Sequence, residues 1–418
     1  MVNRKQTPEL RSIDHIEFVK PHIFDITNWS KLYFMKEVPN ETSRVDIYFN
    51  AGSVRGSVGI ASIVSGLLLS GTSEQSSTEI HNQLDGLGAF YESNVGHENA
   101  TISIYALREN MIKILHVLKN AIENMAFLEH EVEELISDRK QKFRVNLEKV
   151  SFLAQRQFQK EIFHNSTYGR VLEEVDYDNF SLSEMKSFFR ENYLNGLTKV
   201  VVVGNFSQDD IDAMIDLMGQ WSKEGPVNFE TEFQNKPGYT HVEKTDALQT
   251  AIRMGKILFN KSHPDFIDFQ VLNTILGDYF GSRLMSNIRE DKGYTYGIGS
   301  MNAELQETGY FLIATEVGKD VKDATLAEIK KEIDRLRTEL VDEQELELVK
   351  SYLLGQLLKS ADGPYSLIDL YMGLESFGLE LEYYNESIEA IKNITPERIK
   401  ELAQQYLSWE DFSIVSAG

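Results

Sequence analysis

At 418 residues the chain exceeds the roughly 250–300 that a single core supports, so two or more domains are expected. Its 42% hydrophobic and 26% charged content is that of a globular protein, and a net charge of −23 without a nucleic-acid-type basic run argues against nucleic acid as a partner. The acidity serves solubility or attracts basic peptides, and composition does not separate the two. Cysteine is absent, which excludes disulfides, thiolate metal sites and cysteine nucleophiles and suits a reducing compartment. The N-terminal MVNRKQTPELRSIDH has no apolar core, and Glu9 and Asp14 stand early for a transit peptide. No apolar run has the length of a membrane span. A cytoplasmic chain without membrane contact is the expectation.

In chain order, residues 43–50 (SRVDIYFN) alternate apolar and polar, as a half-buried strand does. Residues 59–72 (GIASIVSGLLLSGT) read as a helix with an apolar stripe of Ile60, Ile63, Val64, Leu67 and Leu68, a second stripe of Ser62, Ser65 and Gly66, and a stop at Gly71. Small residues on one helix face usually mean close packing; no G-x-S-x-G context or positioned base argues for a catalytic serine. Residues 100–107 are a second alternating strand, residues 111–125 a helix, and residues 222–239 (SKEGPVNFETEFQNKPGY) a linker, with Gly-Pro, Pro-Gly and no apolar period. The organisation implied is a domain of residues 1–222, a linker over 223–239 and a second domain of 240–418. In the second part, His263-Pro264-Asp265 opens a helix that closes on Gly277. A further helix follows Gly281 and stops at Lys292-Gly293, before the strand YTYGIGS. Period-two alternation puts Tyr294 and Tyr296 on one face of that strand. Residues 320–336 read as another helix.

The halves look like repeats. SLSEMKSFFRENYLNGLTKVVVVG closes the first on Gly204, and NITPERIKELAQQYLSWEDFSIVSAG closes the second on Gly418. The spacing from Asn82 to Gly88 equals that from Asn287 to Gly293, and in both a helical stretch runs into a strand. Strands and helices do not alternate strictly, so the class expected is α+β, two homologous sheet-plus-helices domains.

Taken in order, these segments resemble the insulinase/pitrilysin family of inverzincin metallopeptidases over nearly all of the chain after about residue 20. There the helix matching residues 59–72 carries H-x-x-E-H: two histidines bind zinc, and the glutamate activates the bound water. The three positions fall here on Ser62, Ser65 and Gly66, so both ligands and the base are missing. QKFRVNLE resembles the segment of the family's third ligand, placing it at Glu148, with Gln141 at an upstream position often held by a second glutamate. None of the nine histidines forms a metal-spacing pair, so no metal or other cofactor is expected on this chain.

The second-half segment S-R-L…R-E-x-x-G-x-x-Y resembles the stretch whose Arg and Tyr, in active members, hold substrate and stabilise the oxyanion. The matching residues are Arg289 and Tyr296. His164–Arg170 resembles the family's H-P-x-G-R loop, without its Pro. The resemblance implies half of a clamshell, inactive alone, that supplies Arg289 and Tyr296 for hydrolysis of extended peptides. A homologous partner subunit supplies zinc and the general base. A homodimer of the isolated chain, a structural core subunit and a peptide-binding member without chemistry are the alternatives.

Overall fold

A computed structural model describes residues 13–36, 41–221 and 232–418. The first half runs β1 (His22–Asp25), β2 (Lys31–Met35), β3 (Thr42–Phe49), α1 (Ile60–Leu67), α2 (Ser77–Gly86), β4 (Phe90–Val95), β5 (Ala100–Leu107), α3 (Arg108–Glu123), α4 (Glu129–Leu147), α5 (Val150–Ile162), α6 (Leu182–Phe189), β6 (Leu197–Val203) and α7 (Gln208–Met218). The second runs β7 (Gly238–Val242), β8 (Gln249–Leu258), α8 (Phe266–Leu276), a π-helix (Met285–Asp291), β9 (Thr295–Glu304), β10 (Gly309–Gly318), α9 (Lys322–Thr338), α10 (Glu343–Ser360), α11 (Pro364–Glu375), α12 (Glu382–Asn393), α13 (Pro396–Tyr406) and β11 (Ser413–Ala417). Local chemistry sets many boundaries. Ser76 and Glu79 form a capping box on α2, Ser207 and Asp210 do so on α7, and Thr395 caps α13 with Pro396 in its first turn. Of the expected linker, residues 222–231 lie outside the described residues, and Gly238 already opens β7. α1 ends at Leu67, a turn before the expected stop at Gly71.

The fold is α+β with two sheets. The first has the order β1-β2-β6-β3-β5-β4 and the second β7-β11-β8-β10-β9. In each, the last strand of the half lies parallel to one neighbour (β6 on β2, β11 on β7) and antiparallel to the other (β6 on β3, β11 on β8). The second sheet thus repeats the first without its β1. The repeat extends to backbone angles: Gly88 before edge strand β4 has φ 70°, and Gly293 before edge strand β9 has φ 68°. Both positions need the left-handed conformation that glycine adopts without strain.

The halves exchange helices. One face of the second sheet packs on α8, α9 and α13 through Phe269, Phe311, Ile313, Ile333 and Leu402. Its other face is covered by α5 from the first half, with Ala154, Phe158 and Ile162 against Ala251, Leu312 and Val415. In return α11 of the second half lies on the outer face of the first sheet, with Ile368 among Tyr33, Met35, Val201 and Val203. Polar contacts fix it there. Arg44 pairs with Asp369, and Tyr33 donates to Glu375 at 2.7 Å. Among the described residues no helix is long and apolar enough to cross a membrane.

Phe158→Ala removes a fully buried ring from α5 and should cost about 3–5 kcal/mol. Because α5 is bonded to one half and packed on the other, the expected result is one denaturant transition moved to a lower midpoint. Trp221 and Trp409 fluorescence and far-UV dichroism should shift together. Separate transitions would show that the halves unfold independently.

Candidate functional site

The helix that the resemblance makes a metal helix is α1. It packs along α4. Ser65 is buried, and its Oγ lies 2.7 Å from Ser93 Oγ on edge strand β4. A cleft of about 360 Å³ beside it is lined by Ser65, Gly66, His81, Ser93, Glu134 and Asp138. His81 Nδ1 is 2.7 Å from Ser77 O and 3.4 Å from Ser77 Oγ, so the imidazole is engaged with its own helix rather than with Ser65.

A metal does not fit here. A Cβ placed on Gly66 would lie 2.9 Å from Leu135 Cδ2 and 3.5 Å from Arg139 Nη2. A histidine there would displace the Leu135 side chain and bring its ring against the Arg139 guanidinium, whose charge opposes a cation. Glu148 is the C-terminal cap residue of α4, and its exposed carboxylate pairs with Lys244 at 2.8 Å. Gln141 is exposed as well. The stripe that α4 turns toward α1 contains Leu135 and Arg139, and helical spacing continues it through Lys142 and Asn146. The expected placement at Glu148 is corrected accordingly. The segment QKFRVNLE holds no feature that fixes the register of α4, and a shift of two residues turns a helix by about 200°. Among the described residues no group of three His, Cys, Asp or Glu is arranged to hold a metal ion.

In the second half, Arg289 sits in the π-helix with its guanidinium 4.8 Å from the ring centre of exposed Phe280. Among the described residues it has no ion-pair or hydrogen-bond partner. Tyr296 is 93% exposed, whereas Tyr294 packs against the core. The alternation rule placed them on one face; a β-bulge separates them. β9 pairs Ile298 with Thr315 but Thr295 with Val317, so one extra residue is inserted at 296–297. Hydroxyl groups staple the bulge. Thr295 Oγ1 accepts from Gly297 N at 3.1 Å and lies 2.8 Å from Glu316 O, and Thr315 Oγ1 lies 2.9 Å from Gly297 O. Bulges of this kind re-aim a side chain, and here the re-aimed one is Tyr296.

Tyr296 borders a shallow cleft of about 380 Å³ with Gln249, Arg253, Thr315 and Glu316. Arg289 does not line it, so the two expected residues are near neighbours in sequence but do not share this cleft. Arg253 was missed from the sequence. It sits in the middle strand β8, its Nη1 donates to Ile252 O at 3.0 Å, and burial lowers its pKa. An arginine inside the alternating run LQTAIRMGKIL was the signal for it.

Fold and site together describe a duplicated α+β chain in which, among the described residues, no metal-binding cluster is formed. The comparisons agree. Residues 33–174 match the family model described as Insulinase (Peptidase family M16), and residues 179–353 match the model described as Peptidase M16 inactive domain. The chain belongs to peptidase family M16. It is 24% identical to an "Uncharacterized zinc protease" of Rickettsia felis, over 84% of this chain and 85% of that one. It is 21% identical to "Non-peptidase homolog YmxG" of Helicobacter pylori, over 87% and 86%. The crystal structure of a peptidase M16 inactive domain from Pseudomonas fluorescens superposes with a TM-score of 0.87 at 20% identity, covering 96% of this chain and 98% of that one.

Writing histidine, glutamate and histidine at 62, 65 and 66 should leave the purified chain without stoichiometric zinc, read by metal analysis after dialysis, because the Arg139 guanidinium still stands beside the ligand position and opposes a cation. Zinc retained at one ion per chain would show that α4 yields.

Proposed function

We propose that this chain is the zinc-less half of a two-chain M16 metalloendopeptidase, supplying Arg289 and Tyr296 to peptides whose cleavage uses the zinc and general base of a homologous partner. The observation that carries this reading is asymmetric. The first half lacks every residue of the metal motif, while the second half presents a phenol at a stapled bulge and an arginine that has no counter-charge among the described residues. Attack on a peptide carbonyl develops negative charge on oxygen, and a guanidinium and a phenol both donate to it. Strand β4 ends the first sheet, and among the described residues its outer edge has no backbone partner. An extended peptide adds to such an edge by main-chain hydrogen bonds. The cytoplasmic location and the domain limits at 222 and 240 belong to the same proposal.

A peptide-binding role without chemistry is the second reading. It is favoured by the position of Arg289 outside the Tyr296 cleft, and a relative named a non-peptidase homolog is consistent with it.

Co-expression with a homologous chain that carries H-x-x-E-H tests both. The expected result is zinc-dependent peptide cleavage by the pair and by neither chain alone. Arg289→Ala and Tyr296→Phe should each lower kcat/KM about 10²–10³-fold while the pair still co-elutes. A pair that assembles, binds peptide and never cuts it would support the second reading instead.

A further inference from the structure

The wall of α4 that faces α1 continues into a second cleft, of about 430 Å³, between α4, α5 and the loop 167–172. Its charge is opposite to that of the chain. The protein has 65 acidic residues, yet among the described residues none lines this cleft, while Arg139, Lys142, Arg156 and Arg170 all do. One of the four is neutralised: Arg156 pairs with Glu173 at 2.9 Å and lies over the rings of Phe143 and Phe152, at 5.0 and 5.6 Å. Arg170 spends its donors on backbone, reaching Val54 O at 2.7 Å and Gly56 O at 3.0 Å, so among the described residues its charge has no carboxylate partner. Arg139 and Lys142 have no ion-pair or hydrogen-bond partner among the described residues. In the opposite wall, Thr167 Oγ1 is buried without a hydrogen-bond partner.

Three uncompensated cations beside an unpaired hydroxyl in a concave, aromatic-walled space repel one another until an anion joins them. The field of a chain with net charge −23 repels anions at long range, so a cleft of this sign selects at short range, by contact. We infer that the α4–α5 cleft is an oxyanion-binding site, taking a carboxylate or phosphate group between Arg139 and Lys142. It lies on the helix from which the family resemblance draws a zinc ligand, in a cleft separate from the one beside Ser65 and Gly66. The inference does not use Arg289 or Tyr296 and stands or falls apart from the proposed peptidase role.

Isothermal titration of the full chain at low ionic strength tests it, with inorganic phosphate in one arm and a capped glutamyl tripeptide in another. The glutaminyl counterpart of the peptide is the control. Saturable binding at one site is expected for at least one of the two anions. Phosphate alone would identify a free or esterified phosphate as the ligand, and the glutamyl peptide alone an acidic side chain. Arg139→Gln with Lys142→Gln should weaken binding about tenfold or more, with the melting temperature unchanged or raised because like charges are removed. Lys142 is exposed, so Lys142→Gln alone leaves folding intact and should weaken binding in the same direction. No saturable binding of either anion, equal binding of the glutaminyl peptide, or affinity indifferent to both variants would overturn the assignment.

Discussion

The structure depends on the exchange of α5 and α11 between its halves. A sheet with one helical layer still exposes its other face, which has to be buried against another element. Here each half lends one helix to the other. Phe158 and Ile162 leave the first half to cover the second sheet, and Ile368 leaves the second half to cover the first. The same pairing of duplicated units that buries these faces also fixes the position of α4, since α5 follows it after Glu148 and Lys149. The Glu148–Lys244 pair closes that junction across the halves. The carboxylate that looked like a ligand position therefore has a mechanical partner.

Much of this was legible in the residues. β5 matches its alternating run residue for residue, α8 begins and ends where Asp265 and Gly277 place it, and the equal spacing of Gly88 and Gly293 reflects two equal left-handed turns. The helix exchange was not legible, because an amphipathic period states that a helix has an apolar face and not which sheet that face meets. The bulge at Tyr296 was hidden for a related reason. Alternation assumes unbroken pairing, and one inserted residue reverses every orientation on its far side. The Thr-Tyr-Gly sequence, with a hydroxyl and a glycine around the tyrosine, was the available hint.

The basic stripe of α4 was also overlooked. Residues 139–144 hold four cations in an acidic chain, a run too short to suggest nucleic acid and therefore passed over. Structure divides the four. Lys140 and Arg144 pair with Asp178 and Glu174, which is the ordinary fate of surface charge, while Arg139 and Lys142 line the cleft with no partner among the described residues. Charge counted along the chain hides such a division, because it arises only from which side of the helix each residue takes.

The duplicated halves have thus diverged at corresponding places. In both, a helical stretch ends on a left-handed glycine and delivers an edge strand. In the first half that strand, β4, pairs regularly with β5, and Ser93 ties it to Ser65 on α1. In the second the strand is bulged, and Thr295 and Thr315 hold the bulge open. A regular edge offers backbone to a ligand and a bulged one offers a side chain. Had the two edges stayed alike, the chain would present either two backbone platforms or two projecting phenols. Their divergence gives one chain both kinds of edge, on a scaffold whose exchanged helices tie the two edges to a shared framework.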